Sequence, residues 1–204
     1  MFSPIEARVR RISMALIRPV ARSRVTPNML TTVGLMLNLI CAFIIGGGWL
    51  FASGVLLLFA GIFDMADGAL ARIKELTSDG GDFLDATLDR LAEGGIGLGL
   101  LWHALARSDD VQVALIYAFV IGSVMISYAR ARAEVLNLDC STGLMARPER
   151  IVILAVGLIL AQATNEFALT LILGALCLTT YLTVAQRILH VYRVAKSSEH
   201  SVEG

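Results

Sequence analysis

The chain has 204 residues, with 17 Lys+Arg against 17 Asp+Glu for a formal net charge of zero, and is 56% hydrophobic and 17% charged. Soluble domains run nearer ~25% charged, so this composition excludes a disordered or low-complexity chain and argues against a water-soluble globule. Cys41, Cys140 and Cys177 form no CxxC and no even framework, which indicates neither a disulfide scaffold nor a zinc site.

In residues 1–24, Ile5, Val9, Ile12 and Leu16 share one side at helical spacing, and Arg8, Arg11, Arg18 and Arg22 fall opposite. The pattern predicts a basic amphipathic helix on the membrane surface, attracted to anionic lipid, and lacks the cleavage site of a signal peptide. A topology signal alone is the plainer alternative. Six apolar runs follow: Met29 to Ile45, Trp49 to about Phe63, about Phe83 to Trp102, Val111 to about Tyr128, Ile151 to Ala163, and Phe167 to about Leu189. They are too long for strands and do not alternate with period two. The expected fold is an all-α integral membrane protein of six transmembrane helices, with residues 25–195 as one membrane domain, 1–24 as an interfacial helix and 196–204 as a tail.

Six spans put the N-terminal arginines, Arg72 and Lys74, the Arg130–Arg150 segment, and Arg187, Arg193 and Lys196 on one side. That side holds 15 of the 17 basic residues. The positive-inside rule makes it cytoplasmic, so the chain is expected to be a multi-pass protein of the cell membrane with both termini in the cytoplasm. No nucleic-acid partner is expected.

The second run ends in Asp64-Met65-Ala66-Asp67-Gly68-Ala69-Leu70-Ala71-Arg72, and the third opens with Gly81-Asp82-Phe83-Leu84-Asp85-Ala86-Thr87-Leu88-Asp89-Arg90. Ionisable groups at membrane depth are costly and mark function by default. Asp64 and Asp67 are i, i+3, and Asp85 and Asp89 are i, i+4, so each pair shares a helix face. Gly68 and Ala71 leave that face open to something bulky. Two antiparallel helices joined by about nine residues bring the pairs together. Such a carboxylate group calls for neutralising cations, and oxygen donors suit Mg²⁺, Mn²⁺ or Ca²⁺. A two-metal phosphoryl or nucleotidyl site is one reading. An ion pathway in a cation transporter and a buried polar network that orients helices are the others.

The set Asp64, Asp67, Gly68, Ala71, Arg72, Gly81, Asp85 and Asp89, eight residues over 26 positions, resembles the signature of the CDP-alcohol phosphotransferase family. The resemblance covers nearly the whole chain. It implies a membrane enzyme of phospholipid biosynthesis that transfers a substituted phosphate from a CDP-linked lipid such as CDP-diacylglycerol and releases CMP. It further implies that Asp64, Asp67 and Asp85 bind two Mg²⁺ ions (Mn²⁺ as a substitute), and that Asp89 is the catalytic base and a metal ligand as well. Asp64, Asp67, Gly68, Ala71, Arg72 and Ser78 match donor-contact positions, as does the segment containing Asn28, Met29, Leu30 and Thr31. Pro27 and its polar flanks also read as ordinary helix capping. Members are commonly homodimers.

Ser127-Tyr128-Ala129-Arg130-Ala131-Arg132-Ala133-Glu134, Arg147-Pro148-Glu149-Arg150 and Asp85-Ala86-Thr87-Leu88-Asp89-Arg90 are similar to the phosphatidylinositol-phosphate synthase branch of the family and its archaeal ether-lipid counterpart. The acceptor implied is inositol 1-phosphate or another phosphorylated polyol, with Arg130, Arg132, Arg147, Arg150 and Arg187 as candidates for its phosphate. Positive-inside bias alone would also place arginines there. Arg147 and Arg150 can point into one pocket, whereas Arg130 and Arg132, ~200° apart on a helix, cannot both do so. The rival acceptor is glycerol 3-phosphate, and a prenyl-diphosphate transferase is a further rival with no cytidine in its donor. Gly95 and Gly99 read as a close helix contact within or between chains. Glu93 continues the Asp85–Asp89 face as a supporting group, and His103, His190 and His200 receive no role.

Overall fold

The computed structural model describes residues 25–74, 76–140, 142–163 and 166–202. The expected amphipathic helix at 1–24 lies outside them. The described residues form six α-helices: α1 (Pro27–Gly46), α2 (Leu50–Ile73), α3 (Asp79–Ala106), α4 (Asp110–Val135), α5 (Arg147–Ala163) and α6 (Glu166–Val202). No strand occurs among the described residues.

The helix starts are written in side chains. Thr26 caps α1 by accepting from Met29 N at 3.3 Å, with Pro27 at the first helical position, where its missing N–H costs nothing. Ser78 caps α3 by accepting from Gly81 N at 3.1 Å. Asp109 caps α4 by accepting from Gln112 N at 2.9 Å. Between α1 and α2 the chain reverses through Gly48 at φ +83, a left-handed conformation that glycine adopts without steric cost.

α1 packs against both α2 and α3, while α5 rests on α2, and α6 closes the bundle against α4 and α5. Buried Ile45, Leu57, Leu100, Ile116, Leu158, Leu169, Leu173 and Leu176 form the interior. Phe43, Trp49, Phe59, Leu98, Leu105, Tyr117, Phe167 and Leu178 are exposed. An apolar core with an equally apolar exterior needs hydrocarbon around it, and the chain is a multi-pass membrane protein.

Four helices (α1, α2, α4 and α6) are long and apolar enough to cross a bilayer on their own. α3 falls short because its first turns carry Asp79, Asp82, Asp85, Asp89, Arg90 and Glu93. α5 has 17 residues, about 25 Å at 1.5 Å per residue against ~30 Å of hydrocarbon. The helices also run past the apolar stretches read from sequence. α2 continues through the acidic motif to Ile73, and α3 begins at Asp79, so their connection is shorter than the nine residues expected.

The GxxxG contact of α3 lies within the chain. A Cβ at Gly99 would stand 2.2 Å from Ala42 O, and one at Gly95 would stand 2.9 Å from Leu39 Cδ2. A Cβ at Gly94 would meet nothing within 4 Å. Gly99→Ala is therefore expected to push α1 and α3 apart and to cost about 1–3 kcal/mol, read as a lower melting temperature in detergent. Gly94→Ala should melt like the parent protein. Cys41 and Cys177 are buried, their Sγ atoms against Ser53 O and Leu115 O.

Candidate active site

The acidic motif sits where α2 ends and α3 begins, beside the starts of α1 and α5. Lys74 Nζ donates to Val25 O at 2.7 Å and ties the end of α2 to the chain entering α1. A cleft of about 50 Å³ opens here. Its wall is Pro27, Asn28 and Thr31 of α1, Asp67, Gly68 and Ala71 of α2, and Ser78, Gly81, Asp82 and Asp85 around the start of α3. A Cβ at Gly68 would meet no described residue within 4 Å, so none of them claims the space that glycine leaves.

Thus six expected donor-side positions, Asn28, Thr31, Asp67, Gly68, Ala71 and Ser78, line one cleft with Asp85. Thr26 and Pro27 perform the capping role as well. The others fall off this wall. Met29 is 54% exposed, Leu30 is buried against Ala69 and Leu70, and Arg72 is exposed on the last turn of α2.

Asp67 is buried, and its Oδ1 accepts from Gly68 N at 2.5 Å while Oδ2 has no hydrogen-bond partner among the described residues. Asp85 lies within electrostatic reach of Asp64, Asp67 and Asp89. Among the described residues no three of these groups yet converge at single-ion ligating distance, which is looser than the convergence expected from spacing. What draws two of them together is a guanidinium. Arg147 Nη2 lies 3.1 Å from Asp64 Oδ2, and its Nη1 lies 2.7 Å from Asp89 Oδ1. The crowded carboxylates, the unpartnered oxygen of Asp67 and the all-oxygen donor set fit hard divalent cations.

Below this bridge the ion pairs continue. Arg150 Nη2 donates to Glu93 Oε1 at 3.1 Å, and Arg90 Nη1 donates to Glu93 Oε2 at 3.2 Å and to Ser127 Oγ. Arg150 is 2% exposed. The Nε–H groups of Arg147 and Arg150 are buried without a hydrogen-bond partner among the described residues, and both arginines line a small cavity of about 30 Å³ with Asn38, Glu93 and Ile151.

The remaining arginine candidates separate. Arg130 Nε pairs with Glu134 Oε1 at 2.9 Å on the exposed side of α4, and Arg132 is exposed. Arg187 donates to Ile126 O at 2.8 Å and Thr142 O at 3.0 Å, and it lies within electrostatic reach of Arg130 and Arg150.

Three site residues carried no assigned part in the sequence reading. Asp82 lines the donor-side cleft. Asn38 lines the arginine cavity. Gly34 lets α1 approach the acids, since a Cβ there would stand 2.6 Å from Asp64 Oδ1. Gly34 and Asn38 are i, i+4 and share the face of α1 turned toward the acids, a signal available in sequence. At the far end of the bundle, Glu166 forms ion pairs with His103 Nε2 at 3.2 Å and Arg107 Nε at 2.5 Å.

The bundle thus carries an Asp-rich helix–turn–helix beside a polar cleft. Residues 24–192 match the CDP-alcohol phosphatidyltransferase family, and the chain belongs to that family. Phosphatidylinositol phosphate synthase of Mycobacteroides abscessus is 33% identical over 189 residues, 91% of this chain and 85% of the relative. Archaetidylinositol phosphate synthase of Methanothermobacter thermautotrophicus is 30% identical, over 88% and 94% of the two chains. The crystal structure of Mycobacterium tuberculosis phosphatidylinositol phosphate synthase with CDP-DAG bound superposes with a TM-score of 0.80 at 32% identity, covering 89% of this chain and 94% of that one. The same mycobacterial enzyme with manganese and citrate gives 0.79 at 31% identity, covering 88% of each chain. The protein is a membrane transferase of phospholipid biosynthesis that acts on a CDP-linked lipid.

Proposed function

We propose that this enzyme transfers the phosphatidyl (or ether-lipid phosphate) group of a CDP-linked lipid to inositol 1-phosphate and releases CMP. The observation that carries the acceptor is buried Arg150 with half-buried Arg147, whose Nε–H groups are both buried without a hydrogen-bond partner among the described residues. Buried donors without partners are expensive, and an anionic acceptor supplies the oxygens they need. The inositol phosphate synthases among its relatives support the same acceptor.

Asn28, Thr31, Gly68, Ala71 and Ser78 hold the cytidine diphosphate. Asp64, Asp67, Asp85 and Asp89 would hold two Mg²⁺ ions, with Mn²⁺ as substitute, which neutralise the diphosphate and offset charge on the departing CMP. Arg147 and Arg150 receive the acceptor phosphate, and Arg187 supports them from α6. Asp89 takes the proton of the attacking hydroxyl. The oxygen so freed bonds to the β-phosphorus, the bond from that phosphorus to the bridging oxygen of CMP breaks, and the electron pair leaves with CMP.

All six helices span the bilayer, α3 and α5 shielded by their neighbours, with the active site and both termini cytoplasmic. The enzyme works as a homodimer. Gly95 and Gly99 are used within the chain, which leaves the exposed Leu91, Gly94 and Leu98 side of α3 for a second copy.

The test is CMP release by purified protein with CDP-diacylglycerol, Mg²⁺ and each acceptor in turn. Release is expected with inositol 1-phosphate and is expected to vanish with EDTA. Release only with glycerol 3-phosphate would replace the acceptor. CMP from no acceptor would contradict the transfer itself.

A further inference from the structure

We propose that Glu93, which touches no reacting atom, is the positioning residue that sets Arg150 for the acceptor phosphate; this rests on the acceptor reading of Arg150 above. α3 presents Asp89 and Glu93 one turn apart, and α5 presents Arg147 and Arg150 one turn apart, so the two helices meet as a two-rung ladder. In the upper rung Arg147 joins Asp89 and Asp64 at 2.7 and 3.1 Å. In the lower rung both Glu93 oxygens are engaged, Oε1 by Arg150 at 3.1 Å and Oε2 by Arg90 at 3.2 Å.

Arg150 is 2% exposed, and the Glu93 side chain is 13% exposed. A guanidinium in such a place needs a carboxylate to hold its charge and its orientation. Glu93 takes one Nη of Arg150 and leaves its Nε–H, which has no hydrogen-bond partner among the described residues. Glu93 also holds Arg90, which donates to Ser127 on α4 and lies 3.6 Å from Asp89. One carboxylate therefore fixes guanidinium groups of α3 and α5 beside the base. Because Glu93 acts through Arg150, it governs acceptor binding and leaves the donor cleft, on the far side of the motif, alone.

The experiment is a double-mutant cycle on steady-state kinetics. Arg150→Gln, Glu93→Gln, Glu93→Asp and the double variant are assayed for KM of inositol 1-phosphate and of CDP-diacylglycerol. Glu93→Gln is expected to raise the acceptor KM roughly tenfold or more, the scale of one charged hydrogen bond, with donor KM unchanged. Glu93→Asp should recover part of that loss. Adding Glu93→Gln to Arg150→Gln should change the acceptor KM no further, because the residue it positions is gone. If Glu93→Gln alone does not fold, the comparison of the double variant with Arg150→Gln carries the test, since it removes both charges together.

A raised acceptor KM for Arg150→Gln with an unchanged one for Glu93→Gln would overturn this inference alone. So would an independent further rise in the double variant, or equal loss of donor and acceptor affinity. An unchanged acceptor KM in Arg150→Gln would instead overturn the acceptor reading on which it rests.

Discussion

Replacing Asp89 by Asn is expected to lower kcat by roughly 100- to 10,000-fold, the range that a positioned general base contributes. Asn has the same shape, and its amide oxygen can still accept from Arg147, which lies 2.7 Å from Asp89 Oδ1. What is lost is the negative charge and the capacity to bind a proton. The donor cleft is lined by Asp67 and Asp85 rather than Asp89, so the KM for CDP-diacylglycerol should stay within a few-fold. Steady-state CMP release over a range of donor and acceptor concentrations checks this. A fall in kcat smaller than tenfold would remove Asp89 from the role of base.

The second large effect is on stability. Arg147 is the cation that Asp64 and Asp89 share, and the three side chains are 17%, 13% and 19% exposed. Arg147→Gln leaves Asp64 beside Asp85 without its cation and leaves Asp89 with Arg90 alone, 3.6 Å away. Breaking a buried ion pair by removing one partner costs about 3–5 kcal/mol, so the variant should melt well below the parent protein in EDTA. Excess Mg²⁺ or Mn²⁺ should return much of the loss, because a divalent ion supplies the missing charge to the same oxygens. Thermal unfolding in detergent, with and without the ion, measures both. Arg130→Gln is the control. Arg130 and Glu134 are 64% and 61% exposed, and such surface pairs contribute about 0–1 kcal/mol. Equal melting of Arg147→Gln and the parent protein in EDTA would mean that the bridge does not hold the acids.

The fold was legible as far as hydropathy reaches. Runs of apolar residues located six helices, and the first of them ends at Gly46, where the apolar run gives way to glycines. The helix limits at the active site were not legible from hydropathy, since α2 and α3 carry their acids inside the helices and remain helical for turns beyond the apolar stretch. Hydropathy treats Asp64 and Asp85 as leaving the membrane, whereas packing against α1 and α5 shelters them. For the same reason α3 falls below what a lone helix needs to span, whereas α5 falls short in length.

Within the site, one-dimensional spacing predicted what lies on one helix face. Asp64 with Asp67, Asp85 with Asp89, and Arg147 with Arg150 all follow from the helical period. Spacing could not tell which carboxylate each arginine meets, because those partners are set by how α5 lies on α2, from where its arginines reach α3. It is tertiary packing that gives Arg147 to Asp64 and Asp89, gives Arg150 to Glu93 and leaves Arg130 to Glu134 on its own helix. His103 likewise finds Glu166 only through the meeting of α3 and α6. Gly34 was a readable signal of another kind. It is a small residue one turn above Asn38 on α1, and its use becomes plain once Asp64 is seen against it.

The most direct measurement supplies purified protein with Mg²⁺, CDP-diacylglycerol and equal concentrations of inositol 1-phosphate and glycerol 3-phosphate, and weighs the lipid product by mass spectrometry. The expected product is a lipid carrying inositol and two phosphates, formed in step with CMP. A product carrying glycerol and two phosphates, or phosphatidate from hydrolysis alone, would contradict the transfer to inositol phosphate.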